Sequence, residues 1–310
     1  MIEMTENLNK RFVKDCKLPI QIYKEPYFTS RLKLCNPLYD SVASYELFSR
    51  EVMEYENEEQ YFAVYNNIKE NMMSYIKSTD GFNKFNEMII PHNENNFSNI
   101  SSKDIYKPTN IGREFISIDM IKANFNTLRH FDPSIFDNEL YWEDFVYKFT
   151  KLEHIINSKY IREVIFGKCN AEKTISYEKY LMTSVLTKVL KEKELNIVYL
   201  SNDEVVIDVT DDGDIKNITD ITKLFLKHRI TPLRFEVFTL KGIMKDDEII
   251  GYIKESKDGV VVKKVNSLYM PSVLRYLNDD HIEYNDLIFE YEGNICKITE
   301  APKIKIINEV

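Results

Sequence analysis

The order of hydrophobic patterns between Glu114 and Ile243 constrains the fold more than any other feature. The apolar run EFISID is typical of a buried strand, and several stretches with helical spacing follow it. Two short β-branched runs, NIVYL and EVVIDV, flank a turn at Ser201-Asn202 and indicate a β-hairpin. An amphipathic stretch, DITKLFLKHRI, and a strand-like run, RFEVFTLKGI, complete a β-α-ββ-α-β order. We therefore predict an α+β fold in which helices back an antiparallel sheet.

The residues before this pattern divide into a helical part and a polar part. From about Tyr39 to Ile89, apolar residues recur three and four positions apart, which predicts a mainly helical N-terminal region. Leu18–Leu34 alternates enough to predict one or two short strands, broken at Pro26. The stretch 91–113 is rich in Asn, Ser and Pro, so we predict a linker there.

Two further strand pairs are expected after the β-α-ββ-α-β pattern. The pairs are EIIGYIKE with GVVVKKV and DLIFEYEG with NICKITE, and a helical segment, SLYMPSVLRYL, lies between them. The chain is thus expected to have a mainly helical first region over 1–112. The second region, 114–310, would have helices inserted into its sheet and a β-rich C-terminal part.

The composition argues against one class of protein, the proteins that coat nucleic acid. The 310 residues carry a formal net charge of −9, whereas a protein that coats nucleic acid is usually basic. The segment 148–193 differs from the rest, because it has ten Lys or Arg against five Glu. Such a segment is typical of an anion-binding surface, and equally of a solvated helix face.

The cysteines predict the compartment. Cys16, Cys35, Cys169 and Cys296 are scattered and form no CxxC pair, so neither a zinc site nor a disulfide framework is expected. The N-terminus lacks the apolar segment of a signal peptide, and no run approaches the roughly 18 apolar residues of a membrane span. We therefore predict a cytoplasmic protein with no membrane partner.

Acidic residues end two of the predicted strands. Asp119 follows the apolar run of the first strand, and Asp203 and Glu204 lie at or beside the hairpin tip. Asp is a favoured helix N-cap, and Asn and Asp form turns, so each position also has a purely structural explanation. However, carboxylates between buried strands cost free energy unless a cation or a donor compensates. The predicted sheet puts the first strand beside the hairpin, where Asp119 and Asp203 can converge on metal ions.

A basic motif lies between these acidic positions. In SKYIREVIFGK, Lys159, Arg162 and Phe166 recur three and four apart, so they share one helix face, and Gly167 follows. Two cations beside an aromatic ring suit a triphosphate under a stacked base. The alternative is a solvated basic edge on a core helix that ends at the glycine.

Taken in order, these motifs resemble the palm of a template-directed polymerase. EFISIDMIKANF is similar to the first palm motif, and VYLSNDEVVIDV is similar to the acidic hairpin. SKYIREVIFGKCN resembles the fingers-helix motif of family A and family B DNA polymerases. The resemblance covers roughly residues 114–265 and implies a palm-like domain with inserted fingers-type helices.

The resemblance also implies roles for individual residues. Asp119 and Asp203 would bind two Mg²⁺ (or Mn²⁺) ions, and Glu204 would assist them. Lys159 and Arg162 would hold the incoming triphosphate, and Asn124 or Phe125 would lie under the sugar. Residues implied to contact the substrates are Lys159, Arg162, Phe166, Gly167, Asn124, Phe125 and, near the primer terminus, Lys254, Lys263 and Lys264.

The sequence departs from family B in two motifs. The hairpin has Asn-Asp-Glu where family B has an Asp-Thr-Asp core, and the first motif lacks Ser-Leu-Tyr. The chain is also too short to add a proofreading exonuclease. We therefore expect a minimal, phage- or mobile-element-type DNA or RNA polymerase, or a template-independent one. Either would add nucleotides from a nucleoside triphosphate to a nucleic-acid 3′-hydroxyl. Its N-terminal region would clamp template or bind a protein partner.

Two other functions are compatible with the sequence. Glu255-Ser256-Lys257, after Asp246, Asp247 and Glu248, loosely matches the Asp…Glu-x-Lys pattern of Mg²⁺-dependent nucleases. The acidic net charge favours a non-catalytic phage accessory protein. GxSxG, HExxH, Walker and dinucleotide-binding motifs are all absent from the sequence, which argues against hydrolase, zinc-protease and P-loop chemistry.

Overall fold

A computed structural model describes residues 3–91, 97–211 and 215–309. In these ranges the chain has an α+β fold, in which N-terminal helices precede an antiparallel sheet and further helices back it. The α-helices there are α1 (Glu6–Cys16), α2 (Tyr27–Tyr39), α3 (Ser41–Val52), α4 (Glu58–Ser78), α5 (Asp80–Glu87), α6 (Ala123–Phe131), α7 (Trp142–Tyr147), α8 (Glu153–Ile156), α9 (Lys159–Gly167), α10 (Ala171–Leu190), α11 (Ile215–His228) and α12 (Met270–Leu277).

The strands form one large sheet and one separate hairpin. The large sheet has the order β2-β3-β1-β4-β5-β6, with β9 paired to β4, and β7 pairs only with β8. The strands are β1 (Glu114–Met120), β2 (Ile197–Leu200), β3 (Glu204–Asp208), β4 (Leu233–Lys245), β5 (Glu248–Ser256), β6 (Gly259–Lys263), β7 (Ile288–Tyr291), β8 (Asn294–Lys297) and β9 (Ile304–Ile307).

Strand β1 lies at the centre of the elements that position the site. It is antiparallel to β3 on one side and to β4 on the other. Helices α6–α10 connect β1 to the β2–β3 hairpin, and α11 connects the hairpin to β4. This is the predicted β-α-ββ-α-β order, with the hairpin beside the first strand as expected.

The sheet buries both of its faces, but against different partners. On one face, Ile116 and Ile118 of β1 join the main core, which the helices complete. On the other face, Phe115 packs in a smaller cluster that includes Ile105 and Ile111. Because side chains alternate along a strand, Asp119 belongs to the same face as Phe115.

The prediction of strands within Leu18–Leu34 is wrong. Leu18, Ile20 and Ile22 are all buried, which explains the alternation, but no neighbouring strand pairs with this segment in the described chain. The second half of the stretch belongs to helix α2. The alternation therefore predicted correctly which side chains are buried, but it predicted wrongly that the backbone pairs in a sheet.

Two other parts of the chain differ from expectation. Strand β9 pairs with the end of β4 and was not predicted, since Ile304–Ile307 offers only four residues of alternation. Residues 92–96 of the predicted linker lie outside the described residues. The described part of that linker contributes Ile105 and Ile111 to the smaller cluster, so it packs on the sheet rather than running free.

Candidate active site

A cleft of about 630 Å³ opens at the end of β1, between the hairpin tip and helices α9 and α10. It gathers most of the residues that the sequence motifs singled out. Those that line it are Asp119, Asp203, Lys159, Arg162, Phe166, Gly167 and Asn124.

Asp119 is a strand residue and not a helix cap. Helix α6 begins at Ala123, its N-cap position is Lys122, and no side chain caps it. The Asp119 carboxylate is 25% exposed and lies 2.7 Å from Nη2 of Arg234. Burial raises the pKa of Asp119 to about 6; Arg234 opposes this rise, and the negative charge of Asp203 adds to it.

The hairpin holds its two acids beside Asp119. The backbone N–H of Met120 donates to the Asp203 carbonyl at 2.9 Å, which joins the end of β1 to the hairpin tip. The Ser201 hydroxyl donates to Asp203 Oδ1 at 3.0 Å and accepts the Glu204 N–H at 2.9 Å. Glu204 pairs in register with Asp119. The Glu204 carboxylate accepts the Ser117 hydroxyl, so Asp119 and Asp203 line the cleft, whereas the predicted helper Glu204 does not.

Helix α9 brings the predicted cations to the same cleft. Ser158 is its N-cap, and its hydroxyl accepts the Ile161 N–H at 3.2 Å. Lys159, in the first turn, is exposed. Burial lowers the pKa of Arg162, and its Nε is buried without a hydrogen-bond partner among the described residues. A half-buried arginine with an unused N–H donor is suited to an incoming anion.

The aromatic residues of the motifs are mostly core residues. Phe166 packs against Trp142, with ring centroids 5.4 Å apart, and offers little surface for stacking. Phe125 is only 1% exposed and packs on Phe136, so of the two candidates for the sugar contact only Asn124 lines the cleft. A Cβ added at Gly167 would meet no atom within 4 Å, so the cleft is open there.

The candidate lysines of β5 and β6 lie outside the cleft lining. Lys254 pairs with Glu236 at 2.8 Å, and its Nζ lies 4.2 Å from the centroid of the Phe238 ring. Burial lowers the pKa of Lys263, and the nearby positive charges of Lys254 and Lys159 lower it further. Lys264 pairs with exposed Asp104 instead.

Sequence reasoning missed two residues of the cleft, Glu178 and Arg234. Glu178 is buried on α10, where it accepts a hydrogen bond from the Asn202 side chain at the hairpin tip. Its signal was a charged residue at helical spacing from Leu181 and Met182, on the buried side of α10. Arg234 alternates with apolar residues at the start of β4, but its partner is 115 residues away and cannot be read from local pattern.

The oxygen donors of Asp119 and Asp203 fit Mg²⁺ or Mn²⁺ by their chemistry, since hard cations prefer carboxylates. Across residues 3–91, 97–211 and 215–309, no group of three or more His, Cys, Asp or Glu side chains is arranged to hold a metal ion. An ion at the two aspartates would thus take its remaining ligands from water and substrate phosphates, as Mg²⁺ commonly does.

The residues of the nuclease pattern are separated by the sheet. Glu248 and Glu255 lie at opposite ends of β5, about 23 Å apart along an extended strand. Asp246 pairs with Lys245, and Glu255 pairs with Lys241. The fold therefore does not bring this pattern into one site.

Within the described ranges, the chain has no helix of the length and apolarity that a membrane crossing requires. Comparison of the sequence and the structure with protein-family profiles, with curated proteins and with solved structures found no match.

Proposed function

We propose that this chain is a Mg²⁺-dependent nucleotidyltransferase with a palm-type sheet, which adds nucleotides to a nucleic-acid 3′-hydroxyl. One observation carries the proposal. Asp119 of β1 and Asp203 of the neighbouring hairpin turn share a cleft of about 630 Å³ with Lys159 and Arg162 of α9. Carboxylates that can hold metal ions, with cations facing them, suit phosphoryl transfer.

The chemistry follows from these groups. The 3′-oxygen attacks the α-phosphorus, the new P–O bond replaces the bond to pyrophosphate, and the hydroxyl proton passes to water. Mg²⁺ or Mn²⁺ held by Asp119 and Asp203 would activate the attacking oxygen and neutralise the leaving pyrophosphate. Lys159 and Arg162 hold the triphosphate through charge-assisted hydrogen bonds. The cleft volume lies within the roughly 300–1,000 Å³ of small-molecule sites.

The architecture supports a palm with fingers-type helices. Asp119 lies at the end of β1, where the cleft opens, and the nucleic-acid primer and template would reach it through this opening. Helices α9 and α10, between β1 and β2, take the place of fingers, and Asn124 takes the place under the sugar. We propose that the N-terminal helices clamp the template or bind a protein partner.

The geometry favours catalysis over a non-catalytic accessory role. An accessory protein predicts that Asp119 and Asp203 lie apart or are capped by backbone donors. Instead, the bond from Met120 N–H to the Asp203 carbonyl keeps them adjacent, and the partner of the Asp119 carboxylate is a side chain, Arg234.

Primer extension with Mg²⁺ or Mn²⁺, run with deoxyribonucleotides and with ribonucleotides, tests the proposal. We expect Asp119→Asn and Asp203→Asn each to lose about a hundredfold or more in rate, because a metal-bound transition state loses its charge stabilisation. Glu255→Gln, a carboxylate outside the cleft, is the control and should extend primers normally. Extension that survives both aspartate substitutions, or that needs Glu255, contradicts the proposal.

A further inference from the structure

Arg234 lies directly opposite Asp119 in the register of β1 and β4, and Glu204 lies opposite Asp119 on β3. The Asp119 carboxylate thus has an arginine on one side and an acid on the other. The Arg234 guanidinium approaches it to 2.7 Å. It supplies the positive charge that a divalent cation would otherwise bring to this carboxylate.

The guanidinium is held loosely, although its backbone is fixed. The Arg234 side chain is 64% exposed, and Asp119 is its ion-pair partner in the part of the chain that the structure describes. Only the arginine side of this pair is exposed, and water weakens the attraction, so we expect displacement of the arginine to cost an entering cation about fivefold or less in affinity. The backbone of Arg234 is held in the β1–β4 ladder, so only the side chain can move.

A displaced Arg234 would remain in the cleft. It lines the same cavity as Lys159 and Arg162, which carry the other positive charges there. Its planar guanidinium can bind two phosphate oxygens at once, which a lysine ammonium cannot do. The Arg234 guanidinium can therefore leave Asp119 when a metal ion binds there and contact a phosphate instead.

We propose that Arg234 is a built-in counterion, which a divalent cation displaces from Asp119 and which then binds the phosphates of the nucleoside triphosphate. This inference rests on the proposed function, because it uses the same metal and nucleotide site. Arg234 has two opposed effects. It weakens binding of the free metal ion, and it strengthens binding of the metal–nucleotide complex.

The first measurement is Mn²⁺ binding by the full chain, followed by electron paramagnetic resonance without nucleotide. We expect Arg234→Gln to bind Mn²⁺ about two- to fivefold more tightly than wild type, because the competing charge is gone. Arg234→Lys keeps the charge and should bind Mn²⁺ nearly as wild type does. Arg50→Gln, an exposed arginine on α3 outside the cleft, controls for net charge.

The second measurement is binding of an α,β-methylene nucleoside triphosphate in the presence of Mn²⁺, followed by calorimetry. Arg234→Gln and Arg234→Lys should both weaken it, by about tenfold or more for the glutamine variant. Tighter Mn²⁺ binding together with weaker nucleotide binding is the result expected. A merely structural role would weaken both, and that result would overturn the inference.

The two hypotheses fail in different ways. If wild type binds Mn²⁺ and Asp119→Asn does not, the metal site stands; unchanged Mn²⁺ affinity in Arg234→Gln then overturns the role of Arg234 alone. If wild type binds no Mn²⁺, or Asp119→Asn binds it equally well, the metal site itself fails and the inference fails with it.

Discussion

Glu178, one of the five acids in the basic segment 148–193, is buried rather than solvated. It is 4% exposed on α10 and bonds to the Asn202 side chain. Burial first, and the charge of Asp203 second, raise the pKa of Glu178 to about 7, and the Asn202 hydrogen bond opposes them. An ionised Glu178 at the hairpin tip is therefore costly, and its neutral form is favoured by folding.

Replacing Glu178 with glutamine should stabilise the protein at high pH only. A raised pKa means that the acid's stabilising contribution is complete below about pH 4.5, its ordinary pKa, and is lost as the pH rises through about 7. Glutamine copies the neutral acid at every pH. We expect Glu178→Gln to lie within about 1 kcal/mol of wild type at pH 5, and to be about 3 kcal/mol more stable at pH 8.5.

Urea unfolding at the two pH values measures this difference. Glu194→Gln removes an exposed carboxylate just beyond α10 and is the matched control, with the same small effect at both pH values. A Glu178→Gln effect that does not change with pH would show that Glu178 is ionised in the folded chain at both.

The sequence was sufficient for residues whose role follows from local spacing. Asp119, Asp203, Lys159 and Arg162 were found from strand ends and helix periodicity, and one cleft contains them all. Phe125 could not be placed correctly, because an aromatic residue in an amphipathic helix reads the same whether it lines a site or the core. Arg234 acts through strand pairing across 115 residues, which spacing does not encode.

At the scale of elements, the same limit applies to strands. An apolar run predicted β1, and β-branched runs around a turn predicted the β2–β3 hairpin, because both patterns are local. Alternation also predicted strands around Leu18 and Ile20, where it reflects burial alone. Periodicity identifies the buried side of a segment, whereas hydrogen-bond pairing depends on which other segment lies beside it.

The junction between α1 and α9 links the N-terminal helices to the cleft. Asp15 of α1 is buried, and its carboxylate accepts bonds from Arg11 at 2.8 and 3.0 Å and from the Tyr65 hydroxyl at 3.0 Å. The Ser158 hydroxyl, which caps α9, lies 3.4 Å from the same carboxylate. The Arg11 guanidinium also lies 4.5 Å from the Tyr160 ring of α9. The N-terminal region thus fixes the first turn of the helix that carries Lys159.

Loss of this cap should weaken nucleotide binding more than it slows the reaction. Ser158→Ala frees the first turn of α9 and costs about 1 kcal/mol of stability. Since Lys159 is in that turn, we expect KM for the nucleoside triphosphate to rise several-fold, about 3–10-fold, with little change in kcat. Steady-state primer extension at varied nucleotide concentration separates the two parameters.

Thr79→Ala provides the matched control for the cap. Thr79 caps α5 in the same way, by accepting the Phe82 N–H at 3.2 Å, and does not line the cleft. It should cost similar stability and leave KM unchanged. An equal rise of KM in both variants would mean that general loss of stability, and not the position of α9, sets nucleotide affinity.

At the scale of the whole molecule, one hydrophobic core includes Leu8 of α1, Ile118 of β1 and Leu274 of α12. A buried ion pair also joins helix α2 to the C-terminal part of the chain. Arg31 of α2 bonds to Asp286 at 3.0 Å and to the carbonyl groups of Asn285, Asp286 and Ile288. These contacts bring the first helices and the C-terminal part into one packed body, so we expect them to unfold together.

Arg31→Ala tests that expectation. The substitution removes the Arg31 donor from three carbonyl groups, of which Asn285 keeps the Ile288 N–H. It also leaves the fully buried Asp286 side chain with Arg275 as its remaining cation. Loss of one partner of a buried pair costs about 3–5 kcal/mol. Lys33→Ala, on the exposed side of the same helix, should cost less than about 0.5 kcal/mol.

Unfolding in guanidinium chloride, followed by two signals, shows which part of the chain loses stability. Far-UV circular dichroism reports all the helices, and Trp142, the single tryptophan, reports the buried core beside α9. In one cooperative body, Arg31→Ala shifts both transitions to lower denaturant by the same amount. If the N-terminal helices formed a separate unit, circular dichroism would show an early step while the Trp142 transition stayed in place. That result would also contradict the role of α1 in positioning α9, because N-terminal helices that unfold separately would not hold the first turn of α9 in place.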